Sequence, residues 1–223
     1  PLERLFAHEF SFPHAPDVTT AQCDALSLVP NAHRLVFING QFSPTLSDRE
    51  CGPYQLTHAA ENVPFPTAIQ SEVFLHLTES LAQERLHIRL PVGQHSDKSL
   101  YLLHISSGND SDMVNTSHSR HHLVVEANAQ AEVIEHFVSL NEQPHFTGAR
   151  LTIAVGDNAE LNHYKLAFET PKSYHFAHND LVLGRDARAR SHSFLLGAGL
   201  TRHNTSSQLN GEGSSLSMNS LLL

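Results

Sequence analysis

The sequence predicts a mainly β chain wound as a β-solenoid, and three observations carry that reading. From Arg85 to Leu223 short β-type runs follow one another with turn residues between them. A turn of the form acid or amide, small, variable, small or apolar recurs as Asn128-Ala129-Gln130-Ala131, Asn158-Ala159-Glu160-Leu161, Asp186-Ala187-Arg188-Ala189 and, more loosely, Glu212-Gly213-Ser214-Ser215. Between the small residues the steps from 129 to 159, 159 to 187 and 187 to 213 are 30, 28 and 26 residues, a drift that indicates structural repetition rather than tandem duplication. Two-strand units of that length cannot bury both faces alone, so stacking them into a solenoid is the economical solution. An antiparallel β-sandwich is the competing fold.

Taken in order, residues 1–30 read as irregular, punctuated by Pro13, Pro16 and Pro30, with a possible short helix around Ala21 to Leu28. His33 to Phe42 holds the apolar run Leu35 to Ile38 followed by Asn39-Gly40, the dipeptide that marks a two-residue hairpin turn. From Ala68 to Gln83, Ile69, Val73, Leu77 and Leu81 fall at spacing four, which predicts one face of a helix. Strands follow at Arg85 to Val92, Leu100 to Ile105, His121 to Glu126, Val133 to Leu140 and Leu151 to Val155, and onward to Leu223. Residues 1–95 thus form an N-terminal lead-in with a strand pair and one helix, and residues 96–223 a β-helix core. The glycine-containing stretch from Gly199 to Gly213 reads as a turn between strands.

Hydrophobic residues make up 40% and charged residues 17%, a globular profile. The net charge of −9 offers no electrostatic footprint for nucleic acid or an anionic membrane. No apolar run reaches the roughly 18 to 20 residues of a membrane span and no signal peptide is visible, so a cytoplasmic location is expected. The chain starts at Pro1 and stops inside the apolar run Leu221-Leu222-Leu223, the expected mark of a piece of a longer chain; self-association through Leu216 to Leu223 is expected from that end.

Histidine is abundant, 18 in 223 residues. His118, His121 and His122 form the densest group, followed by His145, His163, His175 and His178. Imidazoles are the commonest metal ligands, but adjacent His121 and His122 point to opposite strand faces and no H-E-x-x-H spacing accompanies them. Polar stacking on the solenoid surface is the plainer reading. Cys23 and Cys51, with 27 residues between them, form no C-x-x-C motif and fall short of the four thiolates of an iron–sulfur site, so two free thiols are expected, Cys51 in a loop. A β-helix hydrolase or lyase needs convergent carboxylates. The candidates are Glu126, Glu132, Glu135, Asp157, Glu160, Asp180 and Asp186, several of them in turns, where Asp and Asn serve the backbone. No nucleophile elbow, Walker A sequence or dinucleotide fingerprint occurs.

Several strings closely resemble the SufD-type subunits of bacterial Suf systems: RLVFINGQF (Arg34 to Phe42), AIQSEVFLHLTESLAQ (Ala68 to Gln83), VIEHFVSLN (Val133 to Asn141), HFTGARLTI (His145 to Ile153), KLAFE (Lys165 to Glu169), HFAHNDLVL (His175 to Leu183), and SHSFLLG with RHNTSSQLNGE (Ser191 to Glu212). The resemblance runs nearly from end to end. It implies a right-handed parallel β-helix and a non-enzymatic scaffold that pairs with a SufB-type paralogue and a SufC-type ATPase to build iron–sulfur clusters. The cysteine and histidine implicated in cluster handling in that family belong to a C-terminal part that this sequence does not match. No catalytic, cofactor-binding or metal-binding residue is therefore transferred, and the cluster is expected to be handled by the full complex. A metal-dependent or carbohydrate-active β-helix enzyme is the alternative.

Overall fold

The computed structural model describes residues 2–58 and 65–223. Among the described residues three helices, α1 (Leu2–Phe6), α2 (Thr20–Leu26) and α3 (Val73–Leu81), accompany fourteen strands. The strands are β1 (Glu9–Ser11), β2 (His33–Ile38), β3 (Gln41–Phe42), β4 (Gln55–His58), β5 (Glu84–Leu90), β6 (Leu100–Ser106), β7 (Met113–Val125), β8 (Gln130–Ser139), β9 (His145–Val155), β10 (Glu160–Phe168), β11 (Tyr174–Leu183), β12 (Arg188–Leu195), β13 (Leu200–Leu209) and β14 (Ser215–Leu222). From β6 onward the chain alternates between two sheets. One has the order β13-β11-β9-β7-β5-β4, with β1 on β7; the other has the order β14-β12-β10-β8-β6-β2-β3. Among the described residues all pairings are parallel except two at the sheet edges, the β2–β3 hairpin and β4–β5, which α3 separates in the chain. This is a β-solenoid of about 4 turns; the parallel registers exclude the antiparallel sandwich.

The repeating turns close the coils. Asn128, Asn158 and Asp186 take φ of 60°, 54° and 55°, the left-handed region where Asn and Asp carry the least penalty. Their backbone N–H groups donate to the next coil at 2.8 to 2.9 Å, and the Asn158 amide donates to the Asn128 side chain at 2.8 Å. Ala129, Ala159 and Ala187 are fully buried, so a larger side chain has no room between coils. The fourth turn differs by one position from the sequence expectation. The β12–β14 register aligns Arg188 with Ser215, which makes Gly213 (φ 72°) the counterpart of Asp186 and not of Ala187.

The lead-in adds strands to both sheets, β2 pairing with β6 and β5 with β7. Asn39 and Gly40 have φ of 49° and 80°, as the expected hairpin turn demands. The possible helix near Ala21 is α2, closed by a capping box in which the Thr19 hydroxyl accepts from Gln22 N–H; α1 is an additional turn of helix. Helix α3 is shorter than Ala68 to Gln83, because Glu72 caps it by accepting from Leu75 N–H. Its face is also rotated: Phe74, Leu75 and Thr78 are buried, Ile69 lies before the helix, and Val73 is 74% exposed. The stretch from Gly199 is mostly strand β13, with its turn only from Gly211. Cys23 and Cys51 are both buried, Cys23 on the inward face of α2 and Cys51 in the main apolar core. Cys51 is a free thiol in a loop, as expected, but a buried one, and burial pushes it up to about 11, which keeps it protonated.

Candidate functional site

The alternation of each strand divides side chains into a lumen set and an outer set. Towards the repeating turns the lumen is aliphatic, with Leu102, Leu123, Val133, Leu151, Leu161 and Leu181 fully or almost fully buried. Beyond this layer the inward positions become polar. Glu135 of β8, His163 and Lys165 of β10, and Asn179 of β11 meet there. His163 Nε2 lies 2.7 Å from Glu135 Oε1 and its Nδ1 lies 2.9 Å from Ser191 Oγ. Lys165 Nζ donates to Asn179 Oδ1 at 3.0 Å and sits 3.6 Å from the same Glu135 oxygen, which also accepts from Asn179 Nδ2 at 3.3 Å. The Lys165 ammonium also lies 5.3 Å from the Phe137 ring centre. A second group follows: Glu169 Oε1 accepts from Thr147 Oγ1 at 2.6 Å, and its other oxygen is 2.6 Å from His175 Nδ1.

Burial works against every charge here, and the neighbours decide the outcome. Desolvation raises Glu135, but Lys165 and His163 outweigh it and hold the carboxyl well below its ordinary range. Glu169 is likewise raised by burial yet held low on balance by His175 and Thr147. Burial lowers Lys165, with Glu135 opposing. Imidazoles without a carboxylate contact are kept neutral: burial pulls His104 far down and takes His121 to about 4. Side chains of Glu135, His163 and Lys165 are 0 to 2% exposed, so no substrate reaches them. The network matches charge with charge inside the coils and has no open face on which to do chemistry.

The histidines expected on the surface are therefore divided. His121, His145, His163 and His175 lie inside the lumen, contrary to the surface-stacking expectation, because each occupies an inward strand position. His118, His122 and His178 face outward on the first sheet. His118 is sealed under α3, 3.3 Å from Thr78 Oγ1 and 2.7 Å from Thr116 Oγ1; the approach works because Gly148 opposite has no Cβ to strike its ring. His122 stacks on His87, and His178 Nε2 pairs with Asp180 at 3.0 Å. His118, His121 and His122 thus do not converge. Among the described residues no group of three or more His, Cys, Asp or Glu side chains could hold a metal ion.

The candidate carboxylates are dispersed apart from Glu132 and Glu160. Glu126 accepts from Arg89 Nε and Nη2 at 2.7 and 2.9 Å, and Asp157 accepts from Arg185 N–H in the next turn. Asp186 is a turn residue. Glu160 pairs with Arg188 at 3.1 Å, and Glu132 contacts the Ser99 hydroxyl; these two share an open groove of about 340 Å³ with His95 and Asp97. Asp180 accepts from Arg150 at 3.1 Å beneath α3, where Glu79 meets both Arg150 and Arg120. The sequence reading missed Lys165, Glu169, Asn179 and Arg150. Their signal was position: in Leu161-x-His163-x-Lys165 the period of two that begins with a core leucine carries straight on into charge.

Parallel coils around a sealed charged lumen, with carboxylates held in turns and outer ion pairs, define a β-helical protein. A family model described as SUF system FeS cluster assembly, SufBD core domain, matches residues 104–223, and the chain belongs to that family. It is 54% identical over 224 residues to the iron–sulfur cluster assembly protein SufD of Escherichia coli (strain K12), covering 100% of this chain and 53% of that protein. It is 29% identical over 198 residues to the iron–sulfur cluster assembly SufBD family protein slr0076 of Synechocystis sp., covering 79% of this chain and 43% of that one. Within the family the similarity is thus to a SufD subunit. The chain spans about half the length of these relatives.

Proposed function

We propose that this chain is a structural section of a non-enzymatic scaffold in iron–sulfur cluster assembly, working in the cytoplasm beside a SufB-type paralogue and a SufC-type ATPase. Residues 96–223 form its core and residues 1–95 the lead-in, and no residue of the chain is assigned a catalytic, cofactor or metal role. The observation that carries the reading is the 54% identity to a SufD subunit along the whole chain. The engagement of the two candidates that share a groove supports it, Glu132 by the Ser99 hydroxyl and Glu160 by Arg188, since the enzyme alternative requires convergent carboxylates free to act on a substrate. The cluster itself is cargo of the full assembly.

The test is affinity purification of the tagged chain after co-expression with its SufB-type and SufC-type subunits, together with metal analysis of the chain alone. Co-elution of the SufB-type subunit and substoichiometric metal are expected. A stoichiometric metal in the chain alone, with no co-elution, restores the enzyme alternative.

A further inference from the structure

The two buried carboxylates of the lumen differ in their company. Glu135 has the Lys165 ammonium 3.6 Å away. Glu169, just past the end of β10, touches no lysine or arginine among the described residues; its contacts are His175 at 2.6 Å, His145 at 3.8 Å and the Thr147 hydroxyl at 2.6 Å. Lys165 of β10 and His136 of β8 act on its charge only from farther off. A carboxylate out of water is costly to hold unless a positive charge or a proton answers it. At Glu169 that leaves a proton held in common by the carboxyl and its two imidazoles. Such a proton has to enter and leave, and with these side chains 0 to 1% exposed, bulk water does not reach them.

Hydrogen bonds provide the way. The line begins at Ser139, half-buried at the end of β8. Its hydroxyl accepts from Thr170 N–H at 2.8 Å, which directs its own hydrogen to His145 Nε2 at 2.7 Å. With Nε2 accepting, the neutral His145 ring carries its hydrogen on Nδ1, 3.3 Å from Thr147 Oγ1. Thr147 in turn donates to Glu169 Oε1, and the second carboxylate oxygen meets His175 Nδ1. One arrangement of hydrogens satisfies every link, and Ser139 alone among these side chains is open to solvent. The parts come from β8, β9, the turn after β10 and β11, with Thr147 and His175 in register, so the line runs across the coils and not along one strand. It stops at the inner wall, where His175 Nε2 is buried without a hydrogen-bond partner among the described residues.

We propose that Ser139, His145 and Thr147 form a proton relay that joins solvent to the buried Glu169–His175 pair while the coils stay closed. In the inward step hydronium gives a proton to Ser139 Oγ as the Ser139 O–H bond breaks and its proton forms an N–H bond at His145 Nε2. The His145 Nδ1–H proton passes to Thr147 Oγ1, and the Thr147 hydroxyl proton forms a new O–H bond on Glu169 Oε1. Water is left outside, Glu169 gains the proton, and His145 keeps one hydrogen, now on Nε2; the reverse sequence restores it. The relay adds to the scaffold reading above and does not depend on it.

The test is nuclear magnetic resonance of the protein carrying 15N-labelled histidine, followed from about pH 7 to about pH 5, where imidazoles ordinarily titrate. Expected are a His145 ring with its hydrogen on Nδ1 at neutral pH, and a His175 ring signal that moves across the range as one averaged peak. Thr147→Val removes the middle link and is expected to split the His175 signal into two slowly exchanging peaks, exchange falling by about a hundredfold or more once it needs the coils to open. Ser106→Ala removes a hydroxyl 3.2 Å from Thr147 Oγ1 but off the line, and is expected to keep one averaged peak, which separates the relay from a general loosening. A His145 hydrogen on Nε2, a His175 signal that is static or already split in the unaltered protein, a single averaged peak in Thr147→Val, or a split peak in Ser106→Ala overturns the relay. The tautomer and the averaged peak are read in the unaltered protein, so they decide the matter even where Thr147→Val fails to fold.

Discussion

Lys165 and Glu135 sit where aliphatic side chains would be expected, and the cost of burying them is offset only while both are present. Replacing one partner of such a pair strands the other charge without solvent, typically at about 3 to 5 kcal/mol, whereas removing both is often nearly neutral. Lys165→Met is therefore predicted to lower the urea midpoint sharply, and Glu135→Gln combined with Lys165→Met to recover most of the loss; equal loss in both variants counts against the pairing. The buried imidazoles predict a pH dependence with a definite sign. His118, His121 and His136 are each lowered to about 4 by burial, from an unfolded value of 6.5. Between those values the unfolded chain binds protons that the native chain does not, so stability falls as pH falls, by up to about 1.4 kcal/mol per pH unit for each group. Below about pH 4.3 the depressed carboxyls of Glu135 and Glu169 add to the loss as they too are protonated on unfolding. Denaturation at pH 7, 6 and 5 checks this, and a midpoint constant across that range contradicts it. The His118, His121 and His122 group was visible in the sequence as histidines but not as places, since neighbouring strand residues part to opposite faces.

At the scale of elements, turns were the most legible feature and strand lengths the least. The turns announce themselves because a left-handed residue selects Asn, Asp or Gly, so Asn128, Asn158 and Asp186 mark coils directly. Asn158→Gly is predicted to leave stability within a few tenths of a kcal/mol, and Asn158→Ala to cost about 1 to 2 kcal/mol from the positive φ alone; thermal melts compare the two. Strand β7 was expected only from His121, yet it begins at Met113, and β9 begins at His145 and not at Leu151. In both, the hidden half carries Asn, Thr, Ser and His inward, into the polar part of the lumen. A reading based on apolar runs stops where the interior ceases to be apolar. The face of α3 was misplaced for a related reason: its buried side is held partly by Thr78 against His118 and by Glu79 against Arg120 and Arg150, polar contacts that hydrophobic spacing does not register.

For the whole molecule, the solenoid was legible from repeat length and turn chemistry, and the parallel registers then fixed it. The charged lumen was not, because polar residues in a strand read as solvent-facing until the second sheet is in place. The most direct measurement is the mass by light scattering during size-exclusion chromatography, for the chain alone and after co-expression with its SufB-type and SufC-type subunits. The account predicts a defined complex containing the SufB-type subunit on co-expression. A chain that elutes apart from both subunits would contradict it.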